Sequence, residues 1–268
     1  MNDPTQLVGW PDLAIAALLV VALAGFSWLQ NLQLGSRVLI ASTRTVVQLS
    51  LIGLVLQTLF AQTHPGWVAL MGSIMLLIAG REASARQKRR LRGIWGYGVG
   101  LVSMFLSSVA ITVLALIVIV RADPWHTPQI AIPLLGMMLG NTMNGVALGL
   151  SRITEEAWRR RAEIEARLCL GMDWRAAILP MRREAVRSAM IPILNTLSAA
   201  GLVTLPGMMT GQILGGADPM TAVRYQILIM FMIAAGVGFG AFAAVGLGAR
   251  RLFDNRSRLR LERLHAPK

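Results

Sequence analysis

GYGVGLVSMFLSSVAITVLALIVIV, residues 96–120, decides the fold. The stretch carries no charged side chain and outlasts the ~20 residues that a helix needs to cross the hydrocarbon layer of a membrane. Six further stretches flank it and share its character: residues 13–29, 38–60, 64–80, 130–150, 189–214 and 225–249. The third is short and needs His64 to Trp67 to reach full thickness. Apolar residues make up 55% of the chain and charged ones 15%, against about 25% charged in soluble domains, so little sequence is left for a globular head. The expectation is an all-α, polytopic membrane protein with about seven transmembrane helices. Asn2, Asp3 and Asp12 precede the first apolar stretch where a cleaved signal would carry Lys or Arg, so that stretch reads as a retained helix.

Charge sets the topology. If the spans alternate, one face holds residues 36–37, 81–92, 151–187 and 250–268, and with them every Lys and Arg of the 26 except Arg44, Arg121 and Arg224. Under the positive-inside rule that face is cytoplasmic, which puts the N-terminus out and the C-terminus in. Trp10, Trp67 and Trp125 then fall at outer span ends, and Trp28, Trp95 and Tyr97 at inner ends, as an interfacial aromatic belt requires. The net charge of +13 is accounted for by topology rather than by nucleic-acid binding. The basic tail, residues 250–263, is also suited to anionic lipid headgroups. A lone cysteine, Cys169, excludes an intrachain disulfide framework.

Polar groups inside the spans need partners or a water-lined cavity. In the second span Arg44 and Gln48 lie one turn apart among Ser42, Thr43 and Thr45; Arg44 either snorkels to headgroups or lines a path. The fifth span holds GNTMNG, residues 140–145. Its Asn141 and Asn144 serve either a path or an interface that Gly136, Gly140 and Gly149 allow to close. The sixth span has Asn195 between Pro192 and Pro206, then Gln212, and its prolines predict a kinked or broken helix. The methionines read as flexible apolar filler. No Asp or Glu lies in a span, which argues against a carboxylate proton relay, and the sequence names no metal-ligand set and no cofactor.

Residues 151–187 form the longest segment outside the spans. Glu155 with Arg159, Glu156 with Arg160 and Glu163 with Arg167 are i,i+4 pairs, predicting a solvated helix that continues out of the fifth span. Gly171 ends it, Asp173 caps a second short helix, and Trp174, Ala177 and Ile178 lie on one face of that helix before Pro180. An exposed apolar face of this kind would dock a cytoplasmic partner.

EARLCLG, residues 165–171, resembles the coupling loop of ABC-transporter permeases, with Arg167 in place of the pattern's second alanine. STRTVVQL at 42–49, GNTMNG at 140–145, EIEARLCLG at 163–171, MIPILN at 190–195 and LPGMMTGQILGGADP at 205–219 together resemble the FetB-type ABC permease family, over nearly the whole chain from the second span onward. The resemblance implies one transmembrane permease domain over residues 1–268, metal (iron) export, a homodimer of permeases, and a separate cytoplasmic ABC ATPase. Glu163, Glu165, Arg167, Gly171 and Trp174 would shape the coupling loop. Arg44, Gln48, Asn141, Asn144, Asn195 and Gln212 are the path candidates, chosen on polarity and position. The sequence contains no G-x-x-x-x-G-K-[ST] phosphate loop, so ATP hydrolysis is expected on a partner and not on this chain. The expected location is the plasma membrane, the inner membrane of a bacterium. A gradient-driven secondary transporter or channel is the alternative.

Overall fold

A computed structural model describes residues 9–60, 64–121 and 123–265. Asn2, Asp3 and the side chain of Trp10, which entered the reading above, lie outside what is described. Among the described residues there are helices and three isolated bridges but no strand. The helices are α1 (Trp10–Leu29), α2 (Gly35–Phe60), α3 (Pro65–Ala85), α4 (Trp95–Met104), α5 (Ala110–Leu114), α6 (Pro128–Arg159), α7 (Arg161–Cys169), α8 (Trp174–Ala177), α9 (Leu179–Ala199), α10 (Gly207–Leu214) and α11 (Pro219–Arg251).

Local chemistry sets the helix ends. The ring of His64 accepts the Gly66 N–H at 3.0 Å, and Pro65 stands in the first turn of α3, where a missing N–H costs nothing. Pro128 opens α6 and Pro180 opens α9 in the same way. The rod Trp95–Val120 runs through α4, a wider π turn at Phe105–Val109, α5 and a second π turn at Ala115–Val120. Along it the hydroxyls of Ser103, Ser107 and Thr112 each donate to the carbonyl four residues back, a bond that competes with the regular ladder.

Six helices among the described residues are long and apolar enough to cross a membrane: Pro11–Leu29, Gly35–Phe60, Pro65–Ala85, Trp95–Val120, Pro128–Arg159 and Pro219–Arg251. The remaining apolar stretch, 189–214, is in two pieces, as its prolines led us to expect. Pro192 sits inside an unbroken α9, and the break falls after Ala199. There Gly201 adopts φ +81°, its N–H meets the Thr204 carbonyl at 2.9 Å, and Pro206 precedes α10. The protein is an all-helical, polytopic membrane protein.

The chain divides into two compact units: α1 and α2 with Met208–Ala222 in one, and His64–Gly207 with the chain from Val223 in the other. In the first, α1 packs on α2, and most of the apolar side chains of both remain exposed, as lipid-facing helices require. In the second, α6 packs against α3, α4 and α9. It meets α11 through glycine notches: a Cβ on Gly240 would lie 2.6 Å from Thr142 Cγ2, and one on Gly145 would lie 2.7 Å from Val237 Cγ1.

Candidate functional site

The segment following the fifth span is built differently from the solvated arm expected. Helix α6 does run straight out of the span to Arg159, but Ile153, Thr154, Glu156 and Ala157 on that extension are buried. Ile153 and Ala157 join Ile164, Ile178, Met181, Ala185, Leu252 and Phe253 in one core at the basic end of this unit.

Two of the three expected i,i+4 pairs are replaced. Glu155 reaches Lys88 at 3.5 Å, and Glu156 meets Arg159 at 2.7 Å and Arg152 at 3.5 Å. The reason is local: Arg160 leaves helical geometry at φ −104°, ψ 29°, so its guanidinium points forward and grips both oxygens of Glu163 at 2.7 and 2.8 Å. The third pair holds, with Arg167 at 2.7 Å from Glu163. Glu163 therefore carries two arginines. The Arg160 hydrogen bond, aided by both positive charges, holds its carboxyl below the usual carboxylate range and raises Arg160 in turn. Glu165 is exposed on the same helix.

Gly171 does what the sequence demanded. It adopts φ +84°, a region where any other L-residue is strained. The Gly171 N–H meets the Leu168 carbonyl at 2.9 Å and the Met172 N–H meets that of Arg167 at 3.1 Å, the paired bonds of a Schellman stop. Asp173 then caps α8 by accepting the Arg175 N–H at 3.1 Å.

The face of α8 is a correction to the sequence reading. Ala177 and Ile178 are wholly buried in the chain's own core, and Trp174 packs on Phe253 with ring centroids 5.4 Å apart. A four-residue helix enclosed between α7 and α9 has its apolar side covered from within. What projects is the turn before it: Leu170 is 80% exposed and Met172 46%, with Cys169 exposed at the end of α7. Sequence reasoning missed Leu170 and Met172, although apolar residues flanking a glycine in a left-handed turn signal a tip.

The intramembrane candidates fall in both units. In the first, Arg44 and Gln48 are exposed on α2, and Ser42 and Thr45 return their hydroxyls to Val38 and Ala41 carbonyls. Also in that unit, Gln212 on α10 has a buried side-chain carbonyl with no hydrogen-bond partner. In the second, Asn141 is exposed and donates to the Met137 carbonyl at 2.8 Å. Asn144 accepts from Arg86 Nη1 at 2.6 Å, a partner 58 residues away that sequence reading did not find. Asn195 is exposed on α9. Thr142, buried between Gly236 and Gly240, has a hydroxyl with no partner. Gly136 and Gly149 give close approach, to Met75 and Val245, but Gly140 has open space beside it. Among the described residues no group of three His, Cys, Asp or Glu is placed to hold a metal ion.

Six membrane-long apolar helices, glycine-notched contacts between them and a structured basic cap define a multi-spanning membrane protein. Residues 10–253 match the profile of the Uncharacterised protein family UPF0014, and the chain belongs to that family. It is 38% identical over 255 residues to the UPF0014 membrane protein slr1647 of Synechocystis, covering 93% of this chain and 96% of that one. Against the protein ALUMINUM SENSITIVE 3 of Arabidopsis thaliana it is 35% identical, with 81% and 78% covered. Against the probable iron export permease protein FetB of Escherichia coli it is 30% identical, with 92% and 93% covered. No solved structure matches the chain.

Proposed function

We propose that this chain is the permease subunit of an ABC exporter, moving a metal ion with iron as the first candidate, and that a separate cytoplasmic ATPase drives it by gripping the turn at Gly171. The observation that carries the reading is the build of that turn. A Schellman stop exposes Leu170 and Met172, while α7 behind it is braced by Glu163 between Arg160 and Arg167. An apolar tip on a braced stem can transmit force. Similarity to a protein named a probable iron export permease supports the substrate class. Two copies would form the path, lined by groups among Arg44, Gln48, Asn141, Asn144, Asn195 and Gln212. The basic face would be cytoplasmic, in the bacterial inner membrane.

The test is purification of the tagged chain in mild detergent, co-expressed with an ABC ATPase whose gene adjoins its own. Wild type recovers the ATPase. Leu170→Asp, at an apolar contact of the kind that anchors interfaces, lowers recovery about thirtyfold, near 2 kcal/mol. Gly171→Pro abolishes it, because proline cannot adopt positive φ. Both variants must elute as intact protein. No ATPase recovered with wild type would sink the reading and favour a gradient-driven transporter. Orientation is read separately: Cys169, exposed and alone, is labelled by an impermeant maleimide in inverted vesicles and not in intact cells. Labelling in intact cells would reverse the topology.

A further inference from the structure

The tail does not lie extended along the membrane surface. After α11 it turns back: Arg260 N–H meets the Leu252 carbonyl at 2.7 Å, and a bridge joins Phe253 to Leu259. It then pairs with the loop just before the fourth span, Arg92 N–H to the Arg263 carbonyl at 2.7 Å and His265 N–H to the Arg90 carbonyl at 2.8 Å. This return leaves a cavity of about 460 Å³ at the end of α11, with Arg250, Arg251 and Arg263 in its wall and Trp95 and Leu247 on the side of the spans.

Arg250, Arg251 and Arg263 line that space without an ion-paired carboxylate; Arg250 lies over the Trp174 ring at 5.4 Å and donates to Asn255 Oδ1 at 3.4 Å. Among the described residues no acidic oxygen stands within ion-pair distance of Arg250, Arg251 or Arg263. Asp254, the one acid in the wall, is already spent on its own turn. It accepts the N–H of Arg256 at 2.8 Å and of Arg258 at 2.9 Å, and pairs with Arg260 at 3.2 Å. Those backbone bonds, Arg258 first, keep its carboxyl below the ordinary range, so it stays an anion committed to that turn. Arg263 is held rigid by donating to the Arg251 and Phe253 carbonyls at 2.8 and 3.2 Å. Arg251 lies over the Trp95 ring at 4.6 Å, and its charge and that of Arg263 repel. Arginines placed along one cavity wall favour an anion, and their planar donors suit a phosphate.

The cavity's other walls say which anion. Trp95 opens the fourth span and is 48% exposed; Leu247 lies one turn before Arg251 inside α11 and is 41% exposed. A tryptophan at the end of a span sits at the headgroup level, and an exposed leucine one turn deeper faces acyl chains. We propose that this cavity is a specific site for one anionic phospholipid, its phosphate held by Arg250, Arg251 and Arg263 and its first methylenes lying along Leu247 and Trp95. Basic pockets beside transmembrane helices bind such headgroups by this chemistry. The tail is then a lipid-closed clasp: the lipid neutralises the cations that the fold-back brings together, and so favours the folded tail.

The experiment is native mass spectrometry of the purified full chain in mild detergent, titrated with phosphatidylglycerol, phosphatidylcholine or inorganic phosphate. Wild type retains one phosphatidylglycerol per chain over phosphatidylcholine, and millimolar phosphate does not displace it. Arg251→Gln weakens retention roughly fivefold, the effect of one basic residue at an anionic surface, while Arg224→Gln, at the other end of α11, leaves it unchanged. If Arg251→Gln does not yield intact protein, Arg250→Gln carries the same expectation. Equal retention of the two lipids would overturn the site, as would full displacement by phosphate, which marks a soluble-anion pocket. Unchanged binding in the intact variants would do the same.

Discussion

Between Gly140 and Gly149 helix α6 meets its neighbours through bare backbone and small groups, whereas from Ser151 to Arg159 the same helix is held by charge. In the first half the polar atoms are short. Asn141 closes on its own helix at Met137, and Thr142 fits between Gly236 and Gly240 with no partner at all. In the second half they are long: Lys88 to Glu155 and Arg152 to Glu184 cross between elements, and Arg152 also meets Glu156 on its own helix, each at 3.5 Å. Asn144, reached by Arg86, marks the changeover. Hydrocarbon penalises a long charged bridge and rewards close packing, while the water side allows charges to be paired at the edge of a core. One half is therefore a smooth seam and the other a clamp. On the permease reading proposed above, the clamp would pass force along α6 and the seam would let helices shift against one another.

The largest effect that would break this contrast is at Glu156, whose side chain is 3% exposed. Glu156→Ala strips Arg152 and Arg159 of their shared partner. Both arginines are accessible enough to rehydrate, Arg159 at 69% and Arg152 at 36% exposed, so the expected loss is about 3 kcal/mol, the upper end for hydrogen bonds to a charged group. Thermal unfolding in detergent measures it. A variant melting with wild type would mean that the core, not the ions, holds this end together.

A smaller effect sharpens the other half. Gly240→Leu drives a side chain into Thr142 Cγ2 at 2.6 Å and Ser107 Oγ at 2.9 Å, and overpacking of this kind costs about 2 kcal/mol. Gly140→Ala, on the same seam but beside open space, should stay within about 0.5 kcal/mol of wild type. Equal melting temperatures for the two variants would show that the seam is loose and that the notches carry no packing.

What could be read in advance followed from local rules. Apolar length gave the spans, Pro206 the break, Gly171 the turn, and Asp173 the cap, because each depends on residues within a few positions of itself. What could not be read depended on partners far along the chain. Glu156 looked like the start of an i,i+4 pair with Arg160, but a two-angle change at Arg160 redirected both side chains. Ala177 and Ile178 looked like an outward face because nothing local announces that Leu252 and Phe253, from the end of the chain, share their core. The Asn144 contact with Arg86 and the folding of the tail onto residues 90–92 have the same origin. The path candidates divide between the two units, and only transport assays on single variants will sort them.

The least disruptive change tests the clamp's outer edge, where Glu163 stands between Arg160 and Arg167 and its carboxyl is depressed in the folded chain. A carboxyl that binds its proton less readily when folded than when unfolded contributes stability above its unfolded pKa, about 4.3, and loses it as pH falls through the lower folded value. Wild type and Glu163→Gln should therefore differ by a small, constant amount from pH 7 down to about 5, and converge below about 4 as the carboxylate protonates. Differential melting of the two proteins across that range reads the effect directly. Because the pair is solvent-accessible, added salt should shrink the gap at neutral pH. A gap that widens on acidification has the wrong sign for this ion pair, and would mean that Glu163 carries its proton in the folded chain and that α7 is braced by Ile164 in the core alone.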